Sequence, residues 1–417
     1  MRILMLTQFY PPVSGGEERH VHTLSGALHA RGHEVAVAML WRKGLSDFEE
    51  DDNGVLLYRV RGLMQRIPGI YSEHERPHSP PQPDPEATLA LRQVIKRERP
   101  DIIHAHNWLV HSFLPLKAAH GPKLVLTLHD FSFICSRKRL MRHGAPCTGP
   151  GFVKCLACAH EQYGPIKTLP TVAGTWVMRQ IERRKVDMFL PVSRAVATGS
   201  QLAGSGSPYQ VIPNFIPDQF PTLPNGDDER LRALPADGYL MFVGDLTEQK
   251  GIHVLLRAYS ELRDAPPLVL IGRAQPDTPT TLPPNVVVLN NWPHALVMEA
   301  WRRSGIALVP STCQDACPTV VMEAMACGKP VIGSRIGGIV DLIDDGHTGL
   351  IVPPGDTEAL RHAMVELLTN GELRTRLGDN AARGVVRFQA SSIIPRIEDV
   401  YQGLLRESEA QSVAISL

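Results

Sequence analysis

Short apolar segments alternate with helical segments along most of the chain, and this alternation limits the possible folds more than any other feature. The strand-like segments of the first half are residues 2–7, 34–40, 101–106, 123–128 and 188–192. Those of the second half are residues 239–243, 268–271, 286–289, 306–309, 330–332 and 350–352. Apolar strands separated by helices form parallel sheets that are covered on both faces. The sequence therefore predicts an α/β protein with two doubly wound halves.

A segment rich in Pro, Asn, Gly and Asp lies between Pro213 and Pro235 and separates the two halves. A chain of 417 residues is longer than one core usually supports, so two domains of about 200 residues are expected. We predict an N-terminal domain over residues 1–213, a second domain over 214–388 and a C-terminal helical segment over 389–417. Ligands of such sheets bind beyond the carboxyl ends of the strands.

Charge and hydropathy exclude several classes of function. The chain has 43 basic and 43 acidic residues, so no overall field favours nucleic acid. No apolar run approaches the roughly 20 residues that a membrane-spanning helix needs. The start, MRILMLTQFYPP, is too short for a secretory signal and is interrupted early by Pro11 and Pro12. We therefore expect a cytoplasmic protein that binds no nucleic acid.

The stretch over residues 310–355 places two acids around the start of a helix. Pro318 suits the first position of that helix, whose free N–H groups and positive dipole end can hold a phosphate. Asp315 lies in the preceding loop, and Glu323 lies about one turn into the helix, where it can accept hydrogen bonds from ligand hydroxyls. This arrangement suits a nucleotide diphosphate that carries a sugar.

The same stretch resembles the retaining glycosyltransferases of family 4. Those enzymes carry two Glu residues eight positions apart, then an EAMACGKPV-like run and a Gly-Gly turn. Here Asp315 stands at the first acidic position, EAMACGKPV covers residues 323–331, and Gly337 and Gly338 form the pair. The resemblance implies the GT-B fold, in which two Rossmann-like domains face a central cleft and the last helix crosses back onto the first domain.

The resemblance also implies an activity: retaining transfer of a hexose-type sugar from a UDP- or GDP-linked donor to a glycan, lipid or small-molecule acceptor, in polysaccharide or glycoconjugate biosynthesis. Asp315 would hold sugar hydroxyls, Glu323 would hold ribose hydroxyls, and the amides near Thr319 and Val320 would serve the phosphates. Catalysis would depend on positioning and charge stabilisation. The sequence shows no dedicated nucleophile, and no catalytic metal is expected.

The run FVGDLTEQKGIHVLLRAY resembles the family's diphosphate-binding segment, in which an Arg and a Lys usually bind the phosphates. Lys250 matches the Lys, whereas Asp245 stands at the usual position of the Arg. Because a carboxylate repels a diphosphate, either Asp245 points away or another cation meets the phosphate charge. Arg273, which follows a predicted strand, is the candidate for that cation. A solvated surface lysine is the alternative interpretation of Lys250.

Three residues of the first half complete the predicted donor site. Gly15 and Gly16 follow the first predicted strand, and residues without Cβ let backbone amides approach a phosphate or sugar closely. His129, in LTLHD, matches the family histidine that contacts the donor sugar or its phosphate. A structural, hydrogen-bonded histidine at the end of a strand is the alternative.

Four cysteines, Cys135, Cys147, Cys155 and Cys158, lie within 24 residues and include one C-x-x-C pair. Disulfides are disfavoured in a reducing compartment. Four thiolates at this spacing predict a structural zinc site, in preference to an iron–sulfur cluster. The alternative is that the cysteines are small packing residues.

Another class of protein fits the departures from the family pattern. A catalytically silent nucleotide-sugar-binding scaffold or regulator would explain Asp245 and Asp315. A dinucleotide oxidoreductase does not fit, because neither half opens with G-x-G-x-x-G. The basic residues of the segment 137–142 are candidates for contact with an anionic acceptor or the inner face of a membrane, with a solvated surface as the alternative.

Overall fold

The computed structural model of the protein describes residues 1–11, 15–51, 53–66, 78–220 and 228–416. The chain divides into two compact units. Unit 1 contains Met1–Arg142, Cys147–Pro213 and Ala390–Leu417, and unit 2 contains His143–Pro146 and Asn214–Gln389. The main change of unit therefore falls at residues 213–214, at the start of the Pro-rich segment, and the chain returns to unit 1 at Ala390.

Unit 1 is built on a seven-stranded sheet. Its strands are β1 (Arg2–Leu6), β2 (Glu34–Leu40), β3 (Phe48–Glu50), β4 (Leu56–Val60), β5 (Ile102–Ala105), β6 (Lys123–Leu128) and β9 (Met188–Pro191), and the short strands β7 (Met141–Arg142) and β8 (Ala145–Pro146) lie between β6 and β9 in the chain. The order in the sheet is β3-β4-β2-β1-β5-β6-β9, and β3 alone pairs antiparallel. Leu4, Met5 and Leu6 of the central strand are fully buried, and each such side chain stabilises the fold by about 1.5–3 kcal/mol.

The helices of unit 1 are α1 (Gly16–Ala30), α2 (Pro85–Glu98), α3 (Val110–Phe113), α4 (Phe152–Lys185), α5 (Arg194–Gly199) and α12 (Ala390–Ser416), with 3₁₀ turns at Leu63–Arg66 and Leu114–Leu116. The long helix α4 is interrupted at Gly164, whose φ of 67° is not helical and which is followed by Pro165. No helix in the described ranges is both long enough and apolar enough to cross a bilayer.

Helix α12 packs on α1 within unit 1. The Glu398 carboxylate of α12 accepts a hydrogen bond from Arg31 Nε at 2.6 Å and contacts His33 Nε2 at 2.7 Å. The hydroxyl of Tyr401 lies 2.6 Å from Nδ1 of His104 on β5. The end of the described chain therefore forms part of the first unit's core.

Unit 2 is built on a six-stranded, wholly parallel sheet. Its strands are β10 (Leu240–Val243), β11 (Leu268–Ile271), β12 (Val286–Leu289), β13 (Ile306–Val309), β14 (Val331–Ser334) and β15 (Gly349–Val352), in the order β12-β11-β10-β13-β14-β15. Its helices are α6 (Ile252–Ser260), α7 (His294–Arg303), α8 (Thr319–Ala326), α9 (Ile339–Leu342), α10 (Thr357–Thr369) and α11 (Gly371–Gly384), with 3₁₀ turns at Glu229–Ala233, Glu248–Lys250 and Val385–Phe388. The predicted α/β class with parallel sheets is confirmed.

Candidate functional site

In unit 2, the loops after β10 and β13 bring a cation and a carboxylate together. Lys250 Nζ donates a hydrogen bond to Asp315 Oδ2 at 2.6 Å, and Ser311 Oγ donates to the same oxygen at 2.9 Å. Burial lowers the pKa of Lys250, but the Asp315 carboxylate outweighs this effect, and the net pKa is raised. The lysine is therefore a fixed positive charge at neutral pH, and the structure places the predicted residues Lys250 and Asp315 in direct contact.

The predicted Gly-Gly pair, Gly337 and Gly338, packs against the loop that carries Asp315. Gly338 N–H donates to the Asp315 carbonyl oxygen at 2.7 Å. Gly337 has φ +60°, and a Cβ at this position would overlap the Asp315 carbonyl oxygen and lie 2.7 Å from its amide nitrogen. A residue with a side chain cannot approach the loop so closely, so these glycines fix the position of Asp315.

Helix α8 begins one residue later than predicted. Pro318 has φ −72° and ψ 116°, so it precedes the helix as the N-cap and is not its first residue; the prediction for Pro318 was wrong by one position. A ψ of 116° is extended, so Pro318 itself lies outside the helix. Thr319 and Val320 occupy the first two helical positions, where backbone N–H groups have no acceptor within the helix.

Glu323 lies one turn into α8, and its side chain is almost fully buried. Its Oε1 accepts a hydrogen bond at 3.1 Å from Nε2 of His294, the first residue of α7. The ring of Phe220 meets the His294 ring edge-on, with centroids 5.8 Å apart. Sequence analysis missed His294, because only the packing of α7 beside α8 brings it to Glu323.

Asp245, which stands where the family usually has an Arg, is paired with a cation within unit 2. Arg273 Nε and Nη2 lie 3.0 and 3.1 Å from the two Asp245 carboxylate oxygens, which gives a two-point ion pair. The two residues follow β10 and β11, which are neighbours in the sheet. Arg273 therefore neutralises the carboxylate that would repel a diphosphate, and its contact with phosphate stays a prediction.

In unit 1, the predicted glycines lie at the start of α1. Gly15 is the N-cap in an extended conformation, and the Glu18 carboxylate occupies the space that a Cβ on Gly15 would need. Gly16 is the first helical residue, and nothing lies within 4 Å of the position of its Cβ. Thus no described residue blocks the approach of a ligand to the Gly16 backbone from this side.

Glu17, in the first turn of α1, was also missed. Burial raises its pKa to about 8, the neighbouring Glu18 charge adds to the rise, and a hydrogen bond from the Asn107 amide opposes it. The carboxyl group is therefore largely protonated at neutral pH and can donate a hydrogen bond.

His129 follows β6 directly and lies in a group of histidines. Its Nε2 is 3.0 Å from Nδ1 of His106, which follows β5. The ring of His20, on α1, meets the His129 ring edge-on at 4.9 Å. His104, the third residue of β5, lies behind His106, with ring centroids 4.2 Å apart. The H-x-H pattern at positions 104 and 106 was the available sequence signal for this group.

Cys155 and Cys158 lie in the first turns of α4, Cys147 in the loop before it, and Cys135 in the segment between β6 and β7. All four have free thiols. Arg137 Nη1 donates to the Cys158 carbonyl at 3.1 Å and lies 3.4 Å from its Sγ. The Cys147 thiol lies 3.4 Å from the Gly149 carbonyl. In the described part of the chain, one set of three or more metal-ligand side chains lies within mutual reach, and it consists of histidines. The four-thiol metal site therefore stays a prediction.

Two families match the sequence. Residues 14–220 match the family described as Glycosyltransferase Family 4, and residues 228–384 match the one described as Glycosyl transferases group 1. The glycogen synthase of Mycobacterium tuberculosis is 28% identical over 397 residues, 88% of this chain and 86% of that protein. The phosphatidyl-myo-inositol mannosyltransferase of Mycobacterium leprae is 26% identical over 428 residues, 99% of this chain and 100% of that protein.

Solved structures share the architecture. Sucrose-phosphate synthase from Thermosynechococcus elongatus matches with a TM-score of 0.72 at 20% identity, over 97% of this chain and 99% of that one. HepE from Anabaena, solved with UDP-glucose, matches with a TM-score of 0.67 at 17% identity, over 96% and 99%. The fold is thus GT-B, with two Rossmann-like domains. The first half of the chain thus matches family 4 and the second half matches group 1, and the predicted resemblance to GT-B glycosyltransferases is confirmed.

Proposed function

We propose that the protein is a retaining glycosyltransferase that moves a hexose-type sugar from a nucleotide diphosphate sugar to a glycan, lipid or small-molecule acceptor. The observation that carries this proposal is the contact of Lys250 with Asp315 beside the first turn of α8. A cation, a carboxylate and free helix amides then lie within two loops and one helix of unit 2. The cation and the helix amides can bind phosphate, and the carboxylate can bind sugar hydroxyls.

Relatives support the choice of donor and sugar class. HepE has been solved with UDP-glucose, and the mycobacterial relatives are a glycogen synthase and a mannosyltransferase. We therefore propose a UDP- or GDP-linked hexose as the donor. Glu323 accepts hydrogen bonds from the ribose hydroxyls, with His294 holding its carboxylate in place.

The chemistry follows from the charges in unit 2. When the donor's glycosidic bond to phosphate breaks, negative charge develops on the diphosphate and positive charge on the sugar ring. The Lys250 ammonium and the amides of Thr319 and Val320 stabilise the leaving group, and the Asp315 carboxylate stabilises the ring and its hydroxyls. Because Asp315 already holds Lys250, the ammonium is oriented before the donor binds.

A silent nucleotide-sugar-binding protein is the second candidate. The observation that favours it is the ion pair itself, since Asp315 is satisfied by Lys250 and Ser311 within the protein. A binder of this kind would bind the nucleotide sugar and neither transfer nor hydrolyse it.

The test begins with a thermal-shift panel of nucleotide sugars, because a ligand at 100 times its Kd stabilises the folded state by about 2.7 kcal/mol. The best ligand is then used in transfer and donor-hydrolysis assays with wild type and Asp315→Glu. For an enzyme adapted to Asp315, the longer side chain displaces the carboxylate by about one methylene and lowers kcat by about tenfold or more.

Asp379→Glu, a change at an exposed position on α11, is the matched control and should leave kcat unchanged. Ligand binding with no turnover in any variant would favour the silent binder. A higher kcat for Asp315→Glu than for wild type would mean that Asp315 impairs the native site.

A further inference from the structure

Three histidines from three separate elements of unit 1 converge. His20 lies on α1, His106 follows β5 and His129 follows β6, and one ligand nitrogen of each lies within 4.8 Å of the others. The closest pair, His106 Nδ1 and His129 Nε2, is 3.0 Å apart. His20 and His106 are buried.

The 3.0 Å between His106 Nδ1 and His129 Nε2 is a hydrogen-bond distance, and it is also close to the separation of two nitrogens bound to one metal ion. Imidazole nitrogens bind zinc at about 2.0–2.1 Å, so two nitrogens on a tetrahedral ion lie about 3.3 Å apart. The His106–His129 distance is within a few tenths of an ångström of that value.

A second layer of contacts holds the group in place. The His104 ring packs on His106, and its two nitrogens contact the Tyr401 hydroxyl at 2.6 Å and the Thr127 hydroxyl at 2.7 Å. Fixed neighbours of this kind orient the ligands of metal sites. The histidine group is therefore a rigid, preformed part of unit 1.

We propose that His20, His106 and His129 form a binding site for a zinc-class divalent transition metal ion. Three imidazoles select zinc, cobalt, nickel or copper over magnesium or calcium. Three protein ligands leave one coordination position open. A second consequence rests on the proposed function: because His129 is also the candidate donor contact, a bound ion removes its nitrogen from the donor and inhibits transfer.

The first experiment measures metal binding by the full chain after treatment with a chelator. Zn²⁺ is titrated by calorimetry and Co²⁺ by visible absorption. We expect one ion per chain and a tetrahedral cobalt spectrum without thiolate-to-cobalt charge transfer. His20→Gln and the less buried His129→Gln should each weaken binding at least tenfold, and His22→Gln on α1 should not change it. Thermal melts of the metal-free variants establish whether they fold. If His20→Gln does not fold, His129→Gln alone is used to test metal binding.

Unchanged affinity in the folded histidine variants would overturn the site. A thiolate charge-transfer band that is lost in a Cys155→Ser, Cys158→Ser variant would also overturn it, because it would assign the ion to the cysteines.

The second experiment measures donor Kd with and without Zn²⁺. We expect at least a tenfold weakening in wild type and none in His20→Gln. Metal binding with unchanged donor Kd would refute the inhibitory link and leave the metal site standing. Transfer activity without any metal binding would refute the metal site and leave the proposed function standing.

Discussion

At the scale of single residues, a departure from the family pattern is matched by a second residue nearby. Asp245 replaces a cation, and Arg273 supplies one from the end of the adjacent strand. Both side chains are substantially exposed, so the pair contributes at most about 1 kcal/mol to stability. The pair matters more for donor binding, because Arg273 neutralises a carboxylate that would repel a diphosphate.

Arg273→Ala should therefore weaken donor binding, because it leaves the Asp245 carboxylate uncompensated beside the phosphates. We expect about a tenfold rise in Kd, equivalent to about 1.4 kcal/mol. Asp245→Ala should leave Kd unchanged or lower it, and the double variant should bind more tightly than Arg273→Ala. Calorimetric titration with the preferred nucleotide sugar measures all four affinities. Equal affinity in wild type and Arg273→Ala would remove this pair from the site.

Glu323→Gln should weaken donor binding while the fold stays intact. The change removes a charged acceptor for ribose hydroxyls, which is worth about 1.5–3 kcal/mol, or roughly a 10- to 100-fold rise in Kd. Glu366→Gln, at an exposed position on α10, is the control and should have no effect. The measurement is titration with the free nucleoside diphosphate, and wild-type affinity in Glu323→Gln would exclude contact with the ribose.

At the scale of elements, the glycine turn at residues 337–338 decides where the Asp315 loop lies. Gly337→Ala adds a methyl group that overlaps the Asp315 backbone, as well as strain at a positive φ. Gly346→Ala is a matched control, because Gly346 has φ +73° and nothing within 4 Å of its Cβ position. We expect both variants to lose about 1 kcal/mol through strain, and Gly337→Ala to lose at least 1 kcal/mol more and most of its activity. Chemical denaturation and transfer assays compare them, and equal losses would mean that the turn does not hold the loop.

Most strands could be predicted because they are apolar on both faces and bounded by turns. Strands β3 and β4 of the seven-stranded sheet were missed, as were the short strands β7 and β8. β4 contains Arg59, a buried charge that interrupts the apolar run, and it is paired with Glu49 of β3. The sequence of neither segment alone predicts this ion pair, because it forms only when the two strands pair in the sheet.

The same limit applies to the site. Lys250, Asp315, Glu323 and the glycine turn were predicted from the resemblance of their motifs to the family, and the structure places Lys250 and the glycine turn against Asp315. Their roles in the site stay predictions. The contact of His294 with Glu323 and the convergence of His20 on His129 join distant segments, and they depend on helix packing that periodicity does not specify.

At the scale of the whole molecule, α12 connects the end of the described chain to the first unit. The pKa of Glu398 is affected by burial, which raises it, and by Arg31 and His33, whose hydrogen bonds lower it more, so the net pKa is lowered. The stability that this carboxylate contributes is present above its ordinary pKa of 4.5 and is lost as pH falls through the lowered value.

Glu398→Gln should lower the free energy of unfolding of unit 1 at pH 7 by about 1.5–3 kcal/mol, because it leaves Arg31 without its charged acceptor. The difference in the free energy of unfolding between this variant and wild type should become smaller as pH falls below 4.5. Glu407→Gln, at an exposed position on the same helix, should match wild type. Denaturation curves across pH, with hydrogen exchange of α12 amides, measure the effect. A difference that is constant with pH would assign it to packing and not to charge.

The return of the chain at Ala390 also has a consequence for how the protein is made. The ribosome synthesises all of residues 214–389 before α12 emerges, although residues 1–213 need that helix to complete their core. Domains generally fold as units in the order of synthesis. Here the second unit can fold first, while the nascent first unit still exposes the apolar surface of α1 and leaves His104 without Tyr401. The first part of the chain to be translated therefore cannot complete its native core until the last helix has emerged.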